Sequence, residues 1–251
     1  MHGRPNQGRG LSMKNIAVIF AGGAGSRMKS KDTPKQFLKV NDKEIIIYTL
    51  EHFQVHPGID GIVVVCIAAW IDYLNGLIER YQLSKVSAVV PGGASGQLSI
   101  YAGLESALSL YGDQCIVLVH DGVRPLINQA LISANITAVK AFGSSITTSP
   151  AIETVIRTKA DQIEEVIDRS QCVLAKAPQS FYLADLHHTH QQALKDGITN
   201  EIDSATLMSR YGFKLHTIVG PSENIKITTP NDFYMFESLV NSLVLEGDET
   251  E

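Results

Sequence analysis

The chain has 251 residues, of which 44% are hydrophobic and 19% are charged, and its formal net charge is −5. This composition is typical of a folded globular protein, and the length is enough for one large α/β domain. The acidic balance argues against a nucleic-acid partner, because nucleic-acid-binding domains are usually basic, and no apolar run reaches the ~18 residues of a membrane span.

The start of the chain and its cysteines bear on where the protein works. Residues 1–12 (MHGRPNQGRGLS) are polar and glycine-rich and lack an apolar signal segment, so we interpret them as a disordered, tag-like leader. A single domain is expected over residues 13–244. Cys66, Cys115 and Cys172 are far apart and have no metal-ligand spacing. We therefore expect reduced thiols and a cytoplasmic protein.

Apolar runs and helical periods alternate over the first 142 residues. Short apolar runs predict buried strands at 15–20, 61–67, 86–90 and 115–120. Helical spacing predicts helices at 45–54, 70–81, 99–110 and 129–142. This order predicts an α/β fold with a Rossmann-like, mainly parallel sheet and helices on both faces.

The pattern changes in the second half of the chain. Residues 144–173 alternate apolar and polar side chains around a turn at 159–161, which predicts a protruding β-arm. A lone hairpin is marginal in water, so we expect the arm to pack on a partner subunit. Further elements are expected as helices at 181–194 and 204–211, strands at 215–220 and 224–228, and a closing helix at 232–244 capped by Asn231.

A glycine-rich loop directly follows the first predicted strand. The loop consists of Ala21, Gly22, Gly23, Ala24, Gly25 and Ser26. Glycines let the backbone approach a ligand, successive N–H groups bind anions, and the nearby Arg27 and Lys35 suit phosphate oxygens. The segment therefore predicts a triphosphate cradle at the carboxyl end of a strand. The alternative is an ordinary glycine turn with two solvated cations.

The motif A-G-G-x-G-S-R-M, followed by P-K-Q-F, resembles the signature of nucleotidyltransferases that make activated sugars and polyols. Within that group it is most similar to the cytidylyltransferases that act on methylerythritol 4-phosphate or ribitol 5-phosphate. The resemblance extends over residues 13–243. It implies that CTP and a polyol phosphate give a CDP-polyol and pyrophosphate, with Mg²⁺ as cofactor and a homodimer formed through the β-arm.

The resemblance assigns the nucleotide to two loops. It implies that Arg27 and Lys35 are catalytic, holding the triphosphate and stabilising charge at the α-phosphorus, while the glycine loop surrounds the phosphates. Gly92, Gly93 and Ser99 would form the second loop, which holds the cytosine and the ribose. The alternative for this second loop is a turn with a helix-capping serine.

The motif H-D-G-V-R-P follows the predicted strand at 115–120. A carboxylate at a strand end suits Mg²⁺, and the resemblance implies that Asp121 lies near the metal and the ribose. Arg124 would contact the substrate and neutralise negative charge in the site, or would instead hold its own loop in place. We interpret His120 as structural, because a phosphate nucleophile is already ionised and needs no general base.

The polyol phosphate is assigned to residues of the second half. By resemblance, Thr154 and Arg169 on the arm and Asp203 in E-I-D-S-A-T would bind this acceptor. Lys226, in E-N-I-K-I-T-T-P, would be a catalytic lysine that faces the acceptor phosphate.

The chain departs from the family pattern at three places. Gly96 stands where an arginine is frequent, and Ala177 and Ile202 replace threonines. These losses keep open a non-catalytic nucleotide-binding homologue; a glycosyltransferase is disfavoured because we find no D-x-D motif. The Ala-Gly-Gly opening, Val-Arg-Pro and Trp70 favour ribitol 5-phosphate as acceptor, with methylerythritol 4-phosphate as the alternative.

Overall fold

A computed structural model describes residues 13–22 and 33–248 of the chain. The described strands are β1 (Lys14–Ala21), β2 (Lys39–Val40), β3 (Lys43–Glu44), β4 (Gly61–Cys66), β5 (Val86–Pro91), β6 (Cys115–Asp121), β7 (Ser144–Pro150), β8 (Val155–Lys159), β9 (Gln162–Ile167), β10 (Val173–Tyr182) and β11 (Thr217–Val219). The described helices are α1 (Ile45–Val55), α2 (Ile71–Arg80), α3 (Gly96–Tyr111), α4 (Gln129–Phe142), α5 (Leu183–Lys195), α6 (Ser204–Arg210) and α7 (Pro230–Asp248).

Part of the predicted site falls outside the described residues. This part comprises Gly23, Ala24, Gly25, Ser26 and Arg27, and the predicted leader at 1–12 also lies outside. Ala21, Gly22 and all later predicted site residues are described.

The central sheet has the strand order β11-β7-β10-β6-β1-β4-β5 within the described residues. Strand β10 runs antiparallel to β6 and β7, and the remaining neighbours in this sheet are parallel. The prediction of an α/β fold with a mainly parallel sheet is confirmed.

The core lies on both faces of this sheet because β1 is apolar at every position from Ile16 to Ala21. Ala17 and Ile19 face one layer, which contains apolar side chains of α1, α2 and α4. Ile16 and Val18 face the other layer, where α3, α5 and α6 pack. A strand covered on both sides needs no polar alternation, which explains the continuous apolar run.

The predicted arm region divides between the central sheet and a separate hairpin. Strand β7 (SSITTSP) is a buried strand of the sheet, and only β8 and β9 form the separate antiparallel pair. The hydroxyl of Thr147 donates to the carbonyl of Pro178 at 2.7 Å, and Asn135 Nδ2 donates to Thr147 Oγ1 at 3.2 Å. The polar Thr147 is buried here because hydrogen bonds satisfy its hydroxyl, which an apolar–polar pattern does not reveal.

Two predictions near the C-terminus are wrong. Residues 224–228 form no strand and instead cross the sheet end as a strap, with Ile227 N donating to Val123 O at 2.9 Å. Helix α7 begins at Pro230, and its cap is Thr229 rather than Asn231. Thr229 Oγ1 accepts from Asp232 N, while Asp232 Oδ2 accepts from Thr229 N, a reciprocal capping box. Although α7 has 19 residues, neither it nor any other described helix is suited by length and apolarity to cross a membrane.

Candidate active site

Asp121 ends β6 at the carboxyl edge of the sheet, where its carboxylate is buried and held by two cations. Lys226 Nζ lies 2.5 Å from Oδ1, and Arg124 Nε donates to Oδ2 at 2.8 Å. Burial alone raises the pKa of this carboxyl, but the charges of Lys226 and Arg124 outweigh it and hold the pKa at about 2. Asp121 is therefore an anion at neutral pH.

Arg124 fixes the strap that carries Lys226. Its Nη1 donates to Asn224 O at 3.1 Å, and Asn224 Nδ2 in turn donates to Ala177 O at 2.7 Å. Because the guanidinium is buried and joins Asp121 to this strap, the geometry corresponds to the loop-pinning role. A substrate contact by Arg124 stays a prediction.

His120 is buried beneath this turn. Its Nε2 lies 3.1 Å from Arg124 O, and its ring packs against Phe53. Burial lowers its pKa to about 4, so the ring is neutral at physiological pH. This environment supports the interpretation of His120 as a structural residue.

A cleft of about 200 Å³ opens over the carboxylate of Asp121. It gathers side chains from the ends of β1 and β6, the irregular middle of β10, the starts of α3 and α6, and the strap. Its lining consists of Phe20, Gly96, Ile100, Val119, Asp121, Arg124, Ala175, Lys176, Ala177, Gln179, Ile202, Asp203, Ser204 and Lys226.

The cleft unites predicted and unpredicted residues. Four predicted site residues meet in it: Asp121, Arg124, Asp203 and Lys226. All three departures from the family pattern, Gly96, Ala177 and Ile202, also line it. The sequence analysis assigned no role to Lys176 or Gln179. The feature that could have indicated them is a lysine and a glutamine on either side of Ala-Pro, in a segment without helical spacing.

Asp203 has a structural use at the cleft rim. It is the N-cap of α6, since Oδ1 accepts from Thr206 N at 2.8 Å, and its Oδ2 accepts from Gln179 Nε2 at 2.9 Å. The preceding Ile202 is 91% exposed. A large apolar side chain thus stands at the mouth of the cleft, where the family resemblance predicted a hydroxyl.

Gly22 and Gly92, one from each of the two glycine-rich segments, lie side by side. A Cβ atom added at Gly92 would be only 3.4 Å from the Cα of Gly22 and 3.0 Å from Ser99 Oγ. Ser99 Oγ accepts from Gly93 N at 3.1 Å and donates to Ser95 O at 2.9 Å. Ser99 therefore ties the second loop to α3, whose N-cap is Ser95.

The P-K-Q-F segment presents Lys35 on an anchored turn. Gln36 Nε2 donates to Ala21 O at 2.6 Å, which joins the turn to the end of β1. The ring of Phe37 stacks on Trp70 with a centroid separation of 4.8 Å. The buried Gln36 and Phe37 thus hold the turn that carries Lys35 at the end of β1.

The arm residues are apart from this cleft. Thr154 and Arg169 are exposed and are not among the residues that line it. Arg169 Nη1 donates to Ile152 O at 2.7 Å, which steadies the base of the arm. Within one chain, the structure does not bring these two side chains to Asp121.

The donor set of the cleft fits a magnesium ion that arrives with a phosphate ligand. The described residues contain no group of three or more His, Cys, Asp or Glu side chains able to enclose a metal. Mg²⁺ usually binds one or two carboxylates and takes its remaining ligands from water and substrate phosphates. Asp121 provides such a carboxylate, and each of its oxygens has a further lone pair beyond those used by Lys226 and Arg124.

Comparison with known proteins identifies the family. The family model described as IspD, 2-C-methyl-D-erythritol 4-phosphate cytidylyltransferase, matches residues 15–242. The chain belongs to the IspD cytidylyltransferase family. It is therefore a nucleotidyltransferase, and the resemblance seen in its glycine and P-K-Q-F motifs is confirmed.

Relatives within the family are named for two activities. The ribitol-5-phosphate cytidylyltransferase of Streptococcus agalactiae serotype V is 53% identical over 231 residues, covering 92% of this chain and 96% of the relative. That of Vibrio parahaemolyticus is 50% identical over 229 residues, covering 91% and 96%. The 2-C-methyl-D-erythritol 4-phosphate cytidylyltransferase of Syntrophus aciditrophicus is 34% identical over 232 residues, covering 92% and 97%.

Solved structures of IspD proteins share the fold. The 4-diphosphocytidyl-2C-methyl-D-erythritol synthase of Anaerococcus prevotii superposes with a TM-score of 0.79 at 24% identity, covering 91% of this chain and 96% of that chain. IspD of Francisella tularensis superposes with a TM-score of 0.73 at 26% identity, covering 89% and 99%.

Proposed function

We propose that this cytidylyltransferase condenses CTP with D-ribitol 5-phosphate to give CDP-ribitol and pyrophosphate. The observation that carries the choice of acceptor is the difference in identity between the two kinds of relative. Ribitol-5-phosphate cytidylyltransferases reach 53% identity over 92% of the chain, whereas a methylerythritol-phosphate enzyme reaches 34% over the same share.

Methylerythritol 4-phosphate is the second candidate acceptor. The family model is described by that substrate, and the solved IspD of Francisella tularensis is named a 2-C-methyl-D-erythritol 4-phosphate cytidylyltransferase. Both acceptors are polyol phosphates, so the same cleft chemistry applies to either.

The proposed reaction depends on holding several anions together. The acceptor phosphate attacks the α-phosphorus of CTP in line, and pyrophosphate leaves, so catalysis rests on positioning and on stabilising charge. Lys226 would guide the acceptor phosphate, because its ammonium group is at the cleft and 40% of the side chain is exposed. Arg27 and Lys35 would hold the triphosphate, and the backbone of the two glycine loops, the second of them supported by Ser99, would enclose the nucleotide.

The acid–base requirements of the reaction are small. A phosphate acceptor is already ionised, so no residue has to remove a proton, which agrees with the neutral, buried state of His120. Mg²⁺, when bound with the nucleotide, would be held by Asp121 and would draw charge from the phosphate oxygens.

We also propose that the arm packs on a second copy of the chain. Pairing of Ile156 with Val166, and of Thr158 with Ile163, places three apolar side chains on one face of the hairpin. These side chains are 45%, 63% and 63% exposed for Ile156, Ile163 and Val166. An apolar face this exposed needs a cover, and a homodimer would bring Thr154 and Arg169 of one protomer toward the cleft of its partner.

A cytoplasmic location is proposed from the thiols. All three cysteines are free, and burial raises the pKa of Cys66 to about 11, which keeps it an inert thiol.

Product analysis tests the proposed acceptor. With CTP, Mg²⁺ and equal concentrations of D-ribitol 5-phosphate and methylerythritol 4-phosphate, we expect phosphorus NMR to show CDP-ribitol as the main diphosphate product. A product mixture dominated by the methylerythritol diphosphate would replace the first candidate by the second.

A further inference from the structure

Lys176 is a cation that the irregular middle of β10 turns into the cleft. In a regular strand, successive side chains point to opposite faces, so three consecutive residues do not line one pocket. Ala175, Lys176 and Ala177 nevertheless all line the cleft. The pairing of β10 with β7 shifts register between Ala175 and Gln179, and such bulges re-aim side chains.

The charge of Lys176 is not matched by a carboxylate. Its Nζ donates to Ser222 O at 3.3 Å, and the described residues place no carboxylate oxygen within ion-pair distance of it. Arg124 and Lys226, by contrast, share Asp121. Burial lowers the pKa of Lys176, and the charge of Arg124 lowers it further, while Glu223 partly opposes the change. The surroundings therefore favour an anion beside this ammonium group.

The sum of charges in the cleft points to the same position. Its lining has three cations, Arg124, Lys176 and Lys226, and two carboxylates, Asp121 and Asp203. Both carboxylates already bind neighbours within the protein. Lys176 is thus the surplus cation, and an ammonium group has three donors, of which Ser222 O takes one. The adjacent Ala177 has no side-chain donor that could bind an anion here.

We propose that Lys176 is a substrate-binding residue that donates to the phosphate of the polyol-phosphate acceptor, acting together with Lys226. The inference rests on the proposed cytidylyltransferase reaction with a polyol phosphate. The acceptor phosphate would then be contacted by Lys176 from β10 as well as by Lys226 from the strap. Two lysines on different elements would thus orient the phosphate that acts as nucleophile.

Steady-state kinetics of Lys176→Gln distinguish a specific contact with the acceptor phosphate from a general effect of losing one positive charge. We expect the KM for D-ribitol 5-phosphate to rise by about 10- to 100-fold, the range for losing one charge-assisted hydrogen bond, while the KM for CTP changes less than about twofold. Lys176→Arg keeps the charge and should recover most of the acceptor affinity. Lys140→Gln, at an exposed lysine on α4, is the control, and both of its KM values should equal those of the parent enzyme. An acceptor KM within about threefold of the parent value in Lys176→Gln would overturn the inference.

A binding measurement keeps this test independent of turnover. Titration calorimetry of inorganic phosphate and of D-ribitol 5-phosphate should give at least about tenfold weaker binding to Lys176→Gln than to the parent chain. If the parent enzyme forms no CDP-polyol but phosphate binding still depends on Lys176, the proposed reaction fails and the anion site stands. Equal binding to both chains, or no phosphate binding to the parent chain, would reject the site itself.

Discussion

Lys226 Nζ lies 2.5 Å from Asp121 Oδ1, so that an ion pair joins the strap before α7 to the carboxyl end of β6. The pair is built from both sides: Arg124 takes the second carboxylate oxygen and also binds the strap at Asn224. The Asp121 carboxylate thereby sets the position of Lys226 at the cleft. Its negative charge also offsets the repulsion between Lys226 and Arg124.

Lys226→Gln is expected to lower turnover with CTP and D-ribitol 5-phosphate by ~10²-fold, the scale of losing one preorganised transition-state contact. The glutamine retains a donor but removes the positive charge that, in the proposed reaction, would offset the charge of the acceptor phosphate. Pyrophosphate release under saturating CTP is the measurement, with Lys140→Gln as the control. A loss below about threefold would mean that this lysine does not take part in the reaction.

Lys35→Ala should also lower turnover by ~10²-fold, because the variant loses a cation that we propose holds the nucleotide phosphates. Gln36→Leu provides a comparison that keeps the cation but breaks the 2.6 Å hydrogen bond to Ala21 O. We expect a smaller loss for that variant, with both kcat and the KM for CTP affected. Equal rates for Lys35→Ala and the parent enzyme would remove Lys35 from the catalytic set.

Gly93→Ala and Gly96→Ala, only three positions apart, test how tightly the second loop packs. A Cβ at Gly93 would lie 2.6 Å from Leu98 Cβ and 3.0 Å from its backbone carbon, whereas a Cβ at Gly96 meets no atom within 4 Å. Overpacking of about 2 kcal/mol predicts that Gly93→Ala lowers Tm by about 5 °C and weakens CTP binding. Gly96→Ala should leave Tm unchanged or slightly raised. Similar behaviour of the two variants would contradict the described loop geometry.

Charge on the arm should disrupt assembly. Ile163→Asp places a carboxylate on the apolar face formed with Ile156 and Val166, and desolvating it at an interface is unfavourable. We expect light scattering to show a dimer for the parent chain and a monomer for this variant. Glu164→Gln, on the same strand, is the control. A parent chain that is monomeric at all concentrations would refute the proposed arm contact.

Acid should destabilise the protein partly through His190. This ring on α5 is 1% exposed, neither of its nitrogens has a hydrogen-bond partner in the described structure, and burial lowers its pKa to about 4. Above the unfolded pKa of 6.5 both states are neutral; as the pH falls from 6.5 to 4, only the unfolded state gains the proton, and stability decreases.

His190→Leu should remove this contribution. At pH 5 the histidine accounts for about 2 kcal/mol of lost stability relative to pH 7, from 1.36 kcal/mol per pH unit. Urea unfolding at the two pH values should therefore show a smaller decrease for the variant than for the parent chain. His188→Leu, at an exposed histidine of the same helix, is the control. An identical pH dependence for His190→Leu and the parent would contradict this account.

The first half of the fold could be predicted because its apolar residues are ordered by simple periods. Strand β6 is wholly buried, and helix α4 begins and ends where the helical spacing predicts. The second half was harder because other interactions replace apolar contact. In β7, Thr147 is buried through hydrogen bonds, and the strap at Asn224 is held by the guanidinium of Arg124 and by the backbone carbonyl of Ala177.

The site divides in the same way. Asp121 and Lys226 were predicted from motifs, and the structure joins them although 105 positions of sequence separate them. Lys176 and Gln179 were missed because their approach to the cleft depends on the irregular pairing of β10, which no local pattern encodes. Thr154 and Arg169 stay predictions, because one chain alone does not bring them to the cleft.

The most direct test of the account is the initial rate of pyrophosphate release with CTP and Mg²⁺, measured in parallel with D-ribitol 5-phosphate and with methylerythritol 4-phosphate. We predict release with D-ribitol 5-phosphate, and a kcat/KM for it well above that for methylerythritol 4-phosphate. Release with methylerythritol 4-phosphate alone, or with neither acceptor, would contradict the proposed function.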